Sequence, residues 1–193
     1  MPDGGSGRVA SWCDRVTCHA VTSVSGQVGY VSTFPPHGVF INYRREDTGP
    51  YALLLQFKLG ERFPNAPVFM DLDSIEAGVD FAEAIKSGVE ACVVLVALIG
   101  AKWLTVTDED GRRRLDDPDD YVRYEVRTAL ERCVRVIPVL VDGARAPKQQ
   151  QLPEDLQKLA RLNALEMSYD RLDYDAIRLM DAIQRVLEAE GGT

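Results

Sequence analysis

The side chains best suited to chemistry in this chain fall into a few short clusters. Tyr121 and Glu125 stand four residues apart, so on a helix an aromatic ring and a carboxylate share one face. A single carboxylate in a drained pocket can steady positive charge on a reacting group. The same glutamate can equally be an exposed acid paired with Arg123 or Arg127, and spacing alone leaves both readings open. The tandem Arg44-Arg45 supplies two cations that either meet an anionic group or serve as ordinary surface charge. Tyr43 and Trp103 are aromatics that either line a pocket or pack in the core. Cys13, Cys18 and His19 form a C-x4-C-H cluster, but the spacing matches no standard zinc pattern and no second ligand pair follows. No metal site and no resident cofactor are expected. Arg112, Arg113 and Arg114 face Asp116, Asp117, Asp119 and Asp120 in the same polar segment, and internal pairing is the expected reading there.

These clusters are positioned by alternating apolar and amphipathic segments. Residues 39–43, 67–71, 91–99, 134–141 and 164–167 read as five strands, the third the most apolar and so the most central. Helical patterns occupy residues 50–63, with Ala52, Leu55, Leu59 and Phe63 on one face, and 80–87, closed by Gly88. Further helices are expected over 119–132, over 153–162, and over 173–188 with an Ile177, Met180, Ile183 and Leu187 stripe. Strands alternating with helices imply a parallel sheet with both faces covered. The expected architecture is flavodoxin-like, a doubly wound five-stranded α/β fold in strand order 2-1-3-4-5. Ligands of such a sheet bind beyond the carboxyl ends of strands 1 and 3. That rule selects Tyr43-Arg44-Arg45, the loop from Asp71 to Gly78, and Gly100 to Trp103.

Composition narrows the classes. The chain has 193 residues, enough for one full core, and 46% hydrophobic with 27% charged residues is ordinary for a folded protein. A formal charge of −8 argues against nucleic-acid binding, which needs a basic face. The longest apolar run, 91–100, is too short to cross a bilayer, so no membrane partner is expected. Residues 1–36 show no sustained period and no signal-peptide pattern, and are expected to be a disordered leader before a domain over 37–190. Cys92 and Cys133 lie in apolar runs, where free thiols behave as small hydrophobes. A cytoplasmic protein is the expectation.

Four motifs carry a family resemblance. VFINYRRED at 39–47 resembles the first-strand motif of Toll/interleukin-1 receptor (TIR) domains, and DLDSIEAGVDF at 71–81 resembles their BB loop. IGAKWL at 99–104 resembles the end of their third strand. RRLDDPDDYVRYEVRTAL at 113–130 followed by VIPVLVDG at 136–143 is similar to bacterial members. The likeness spans residues 38–188 with the motifs in order.

The resemblance implies an NAD+ nucleosidase that cleaves the nicotinamide–ribose bond, giving nicotinamide and ADP-ribose and/or a cyclic ADP-ribose product in antiphage defence signalling. It implies Glu125 as the catalytic residue, in a W-x-x-x-E pattern whose tryptophan is Tyr121 here. The substrate-binding residues implied are Tyr43, Arg44, Arg45, Asp71, Glu76, Gly78, Trp103 and Tyr121, with the arginines meeting the pyrophosphate or the carboxylates of the 71–78 loop. NAD+ is then a substrate, not a cofactor. Self-association through TIR–TIR contacts and a separate sensor or effector protein are the implied partners. The competing reading is a non-enzymatic TIR–TIR interaction module acting through the 71–81 loop.

Overall fold

The computed structural model describes residues 38–70, 89 and 91–191. The leader, the Cys13/Cys18/His19 cluster, the 71–81 loop and the helix expected over 80–87 lie outside the described residues. Eight longer elements follow in chain order: β1 (Gly38–Asn42), α1 (Arg45–Arg62), β2 (Val68–Met70), β3 (Cys92–Ile99), α2 (Tyr121–Glu131), β4 (Arg135–Val141), β5 (Leu165–Met167) and α3 (Leu172–Gly191).

The strands form one sheet in the order β2-β1-β3-β4-β5, every adjacent pair parallel. This is the doubly wound order expected from the sequence. Strand periodicity splits the core in two, because successive side chains point to opposite faces. Val39 and Ile41 of β1 and Val94, Val96 and Leu98 of β3 pack under α1 and α3, with Ala52, Leu55, Leu59, Leu179 and Ile183. Phe40, Leu95, Ala97 and Ile99 face the other way, onto Val122, Val126 and Ala129 of α2. β3 is apolar throughout because it is buried on both faces and flanked by strands on both edges.

Several boundaries differ from the sequence reading. Helix α1 begins at Arg45, five residues before the proline taken as its start. The backbone carbonyl of Arg44 accepts from Asp47 and Thr48, and Glu46 and Asp47 place acid in the first turn. Pro50 therefore lies inside the helix, where its ring removes one donor but the turn before it is already closed. The segment expected as a helix over 153–162 is a run of 3-10 turns, Glu154–Arg161, still burying Leu156 and Leu159. In α3 the buried stripe differs from the expected one at a single position. Ile177 is 53% exposed, whereas Ala176, Leu179 and Ile183 are buried. Ile183 of the expected stripe is buried and Met180 and Leu187 pack against the core, so the misplacement is confined to Ile177, one residue or about 100° of helix rotation from the buried Ala176. Cys133 is a further correction: it sits at the α2–β4 turn with φ 59° rather than in a strand.

The polar segment before α2 is anchored rather than loose. Asp108 Oδ1 accepts the backbone N–H groups of Asp110 and Arg112, forming a tight turn with Gly111 at φ 76°, and Thr107 bridges Arg113. Leu115 then inserts completely into the core layer under α2.

Candidate functional site

Both β1 and β3 end at the same edge of the sheet, and the side chains there come from three segments. Asn42 closes β1, Gly100 follows β3, and α2 begins at Tyr121. Gly100 is required by a close approach: a Cβ there would lie 2.5 Å from both carboxylate oxygens of Asp47. Asp47 reaches this place from the first turn of α1 and accepts the backbone N–H of Lys102 at 3.1 Å. That bond ties the chain leaving β3 to the start of α1.

Glu125 is 7% exposed and receives the side-chain amide of Asn42, Nδ2 to Oε2, at 2.7 Å. The same Nδ2 donates to the carbonyl of Val122 at 3.1 Å. Burial removes the reading of Glu125 as an exposed acid. Arg123 and Arg127 are held instead by Asp155, at 3.1 and 3.8 Å, on the side of the helix that meets the 3-10 run. The helix therefore sorts its charges by face, with the guanidiniums toward Asp155 and the carboxylate toward the end of β1.

A buried ion pair fixes the start of α2. Arg44 is 2% exposed and its two terminal nitrogens bond the two oxygens of Asp120 at 3.0 Å each, while Nε donates to the Trp103 carbonyl at 3.3 Å. Asp120 is also the N-cap of α2, accepting the backbone N–H of Arg123 at 3.0 Å. Arg114 completes the set, 3.2 Å from Asp120 and 3.4 Å from Glu46 of α1. Bidentate geometry suits the planar guanidinium, and two arginines offset the cost of burying one carboxylate. The arginine triplet thus pairs within the protein, Arg112 with Asp110 and Arg113 with Asp116. The Arg113 contact also holds the Asp116 carboxyl below its ordinary range.

The residues singled out by sequence are distributed unevenly around this arrangement. Arg44 does not offer its guanidinium to an external anion; its hydrogen-bonding fork is spent on Asp120 and Trp103. Trp103 is fully buried among Leu115, Val122 and Val126, so it presents no face for stacking on a ligand. Tyr43 packs against the core layer under α1 and α3, opposite to the face that carries Asn42. Arg45 is exposed on the first turn of α1. Tyr121 is half exposed at the first residue of α2, one turn before Glu125. Asp71, Glu76 and Gly78 lie outside the described residues.

Asn42 and Asp47 were missed by the sequence reading, which named Asp120 only as an internal partner of the arginine triplet, a pairing that Arg114 makes. A signal for Asn42 was available: strand alternation puts it on the same face as Phe40, so a polar amide ends a buried row. Asp120 also carried a signal, as an aspartate directly before a helical pattern. Nothing local marked its pairing with Arg44, which lies 76 residues away. Among the described residues, no group of three or more His, Cys, Asp and Glu could hold a metal ion, and no helix is long and apolar enough to cross a membrane.

Comparison with known proteins agrees with this architecture. Residues 39–180 match the family model described as the TIR domain. The protein named NAD(+) hydrolase sarm1 of Drosophila melanogaster is 29% identical over 154 residues, an alignment covering 79% of this chain and 10% of that relative. This chain therefore corresponds to about a tenth of that relative's length. The TIR domains in the structure of the activated Roq1 resistosome directly recognizing the pathogen effector XopQ superpose with a TM-score of 0.58 at 16% identity. That superposition covers 76% of this chain and 99% of theirs, and at such identity it is a likeness of fold.

Proposed function

This chain belongs to the TIR domain family, and from that premise we propose that it cleaves NAD+ at the nicotinamide–ribose bond with Glu125 as the catalytic residue. The observation that carries the reading is the burial of Glu125 against Asn42 at the carboxyl edge of the sheet, where a doubly wound fold takes its ligands. The 29% identical relative named as an NAD(+) hydrolase supports the same substrate.

The reaction asks little of the protein. The bond between ribose C1′ and the pyridinium nitrogen breaks, and its electron pair leaves with nicotinamide, which departs neutral. Positive charge develops on the ribose, and the Glu125 carboxylate steadies it. Water then adds to C1′ and releases one proton, giving ADP-ribose; capture by an adenine nitrogen gives a cyclic product instead. No general acid is needed for the leaving group. In this proposal Tyr121 offers its exposed ring to the nicotinamide end, and Arg45, exposed on the first turn of α1, meets the pyrophosphate. Asp71, Glu76 and Gly78 would close over the dinucleotide. Arg44 orders the helix that carries the carboxylate. The setting proposed is cytoplasmic antiphage defence signalling in a bacterium, triggered by a separate sensor.

The second reading, a module that acts only by TIR–TIR contact, is favoured by two exposed apolar side chains one turn apart on α1, Leu53 and Phe57. Incubation with NAD+ and mass spectrometry of the products separates the readings. Glu125→Gln is expected to lower nicotinamide release by roughly 10²–10³ with the fold intact. Retained signalling in Glu125→Gln, together with its loss on substitution in the 71–81 loop, would establish the interaction module in place of the enzyme.

A further inference from the structure

Asn42 has no exposed surface, yet its amide spends both of its contacts on α2, one on the Val122 carbonyl and one on the Glu125 carboxylate. A structural asparagine at a strand end has no need of a carboxylate, and the backbone carbonyl of Val122 alone would tether β1 to the helix. The 2.7 Å contact to Oε2 is the shorter of the two and is assisted by the carboxylate charge. It does for Glu125 what the helix alone cannot. A glutamate has three rotatable bonds, and the last is broad and weakly staggered, so the plane of the carboxylate is undefined until something grips it.

We propose that Asn42 is a positioning residue that sets the orientation of the Glu125 carboxylate and keeps it ionised for the reaction. The inference rests on the proposed NAD+ cleavage and adds to it a determinant outside the motif that suggested Glu125. A hydrogen bond donated to the charged form of an acid favours that form, and the donor here is a neutral amide that cannot itself ionise. An aspartate or glutamate in its place would repel, and a lysine would hold the carboxylate as a salt bridge. Among the described residues, several charged groups on the elements packed around the pair have partners of their own. Arg44 and Arg114 bind Asp120, Asp47 accepts the Lys102 N–H, and Arg123 and Arg127 are held by Asp155.

The test uses the full chain with NAD+ and the variants Asn42→Ala and Asn42→Asp, each checked for fold by circular dichroism. Asn42→Ala removes the donor; Asn42→Asp keeps the volume but sets a second carboxylate against Glu125. The expected result is a fall in kcat of about 10- to 100-fold with KM changed less than about threefold, as for a misoriented group that does not bind substrate. The acid limb of the pH profile moves to higher pH in Asn42→Ala and further in Asn42→Asp, because two carboxylates at one site cannot both ionise readily. A 13C titration of the Glu125 side-chain carboxyl, assigned by its absence in Glu125→Gln, reads the same order without any turnover. If the parent protein releases no nicotinamide, the NAD+ reading fails and the titration still judges Asn42. Unchanged kcat in an active protein, or a Glu125 midpoint that stays in place in folded Asn42→Ala, overturns the inference. Asn42→Asp serves if Asn42→Ala does not fold.

Discussion

Removing the Asp120 side chain is the sharpest test of how this site is held. In the native protein that carboxylate takes two bonds from Arg44, one contact from Arg114 and one backbone N–H at the start of α2. Asp120→Ala leaves the Arg44 guanidinium, 2% exposed, with its Nε–H bond to the Trp103 carbonyl. Stranding one member of a buried pair costs about 3–5 kcal/mol, and losing an N-cap about 1 kcal/mol more. The sum, about 4–6 kcal/mol, is a large share of the roughly 5–15 kcal/mol that a domain has. It corresponds to a fall in Tm of roughly 10–20 °C for a chain of this size. Urea denaturation followed by circular dichroism measures it, with the slope m unchanged if the native state is otherwise preserved. The double variant Arg44→Met with Asp120→Leu removes the stranded charge and is expected to lie within about 2 kcal/mol of the parent. A loss below about 1 kcal/mol in Asp120→Ala, or a double variant no better than the single, would refute the reasoning.

Three further outcomes follow from the packing. Trp103→Ala is expected to cost about 3–5 kcal/mol in urea denaturation, as a core aromatic does, whereas a ligand-stacking residue would lose NAD+ affinity at constant stability. Gly100→Ala pushes its Cβ against the Asp47 carboxylate and breaks the bond to the Lys102 N–H, at a cost of about 1 kcal/mol. In an Asp47→Ala background the same change is expected to cost little, which a double-mutant cycle reads directly. Burial pushes the Cys92 thiol up to about 12 from an ordinary value near 9. The folded state thus favours the neutral thiol, so this contribution is present below pH 9 and is lost as pH rises toward 12. Thiol labelling at pH 8 is expected to be absent at Cys92 in the native protein and to appear on unfolding.

Much of the fold was legible in the sequence because it depends on local periodicity. A continuous apolar run marked β3 as central, and alternation with helical patterns led to a parallel doubly wound sheet in the observed order. The motif around Glu125 marked the carboxylate, and the sheet-edge rule marked the region around it. Where local cues competed, the reading slipped. Pro50 was taken as the start of α1 when carbonyl acceptance by Arg44 had already begun the helix, and Ile177 was favoured over Ala176 on size alone.

What the chain order could not carry was the choice of partner. Arg44 stands beside Arg45 in sequence, and nothing in the letters says that one is spent on a buried aspartate while the other lies exposed. Glu125 lies between two arginines that pair with Asp155, and its amide donor arrives from 83 residues away. Strand and helix periods are properties of a few consecutive residues, so they survive in one dimension. Charge pairing at distances of about 3 Å is decided by which elements the folded sheet brings together, and that only the tertiary structure determines.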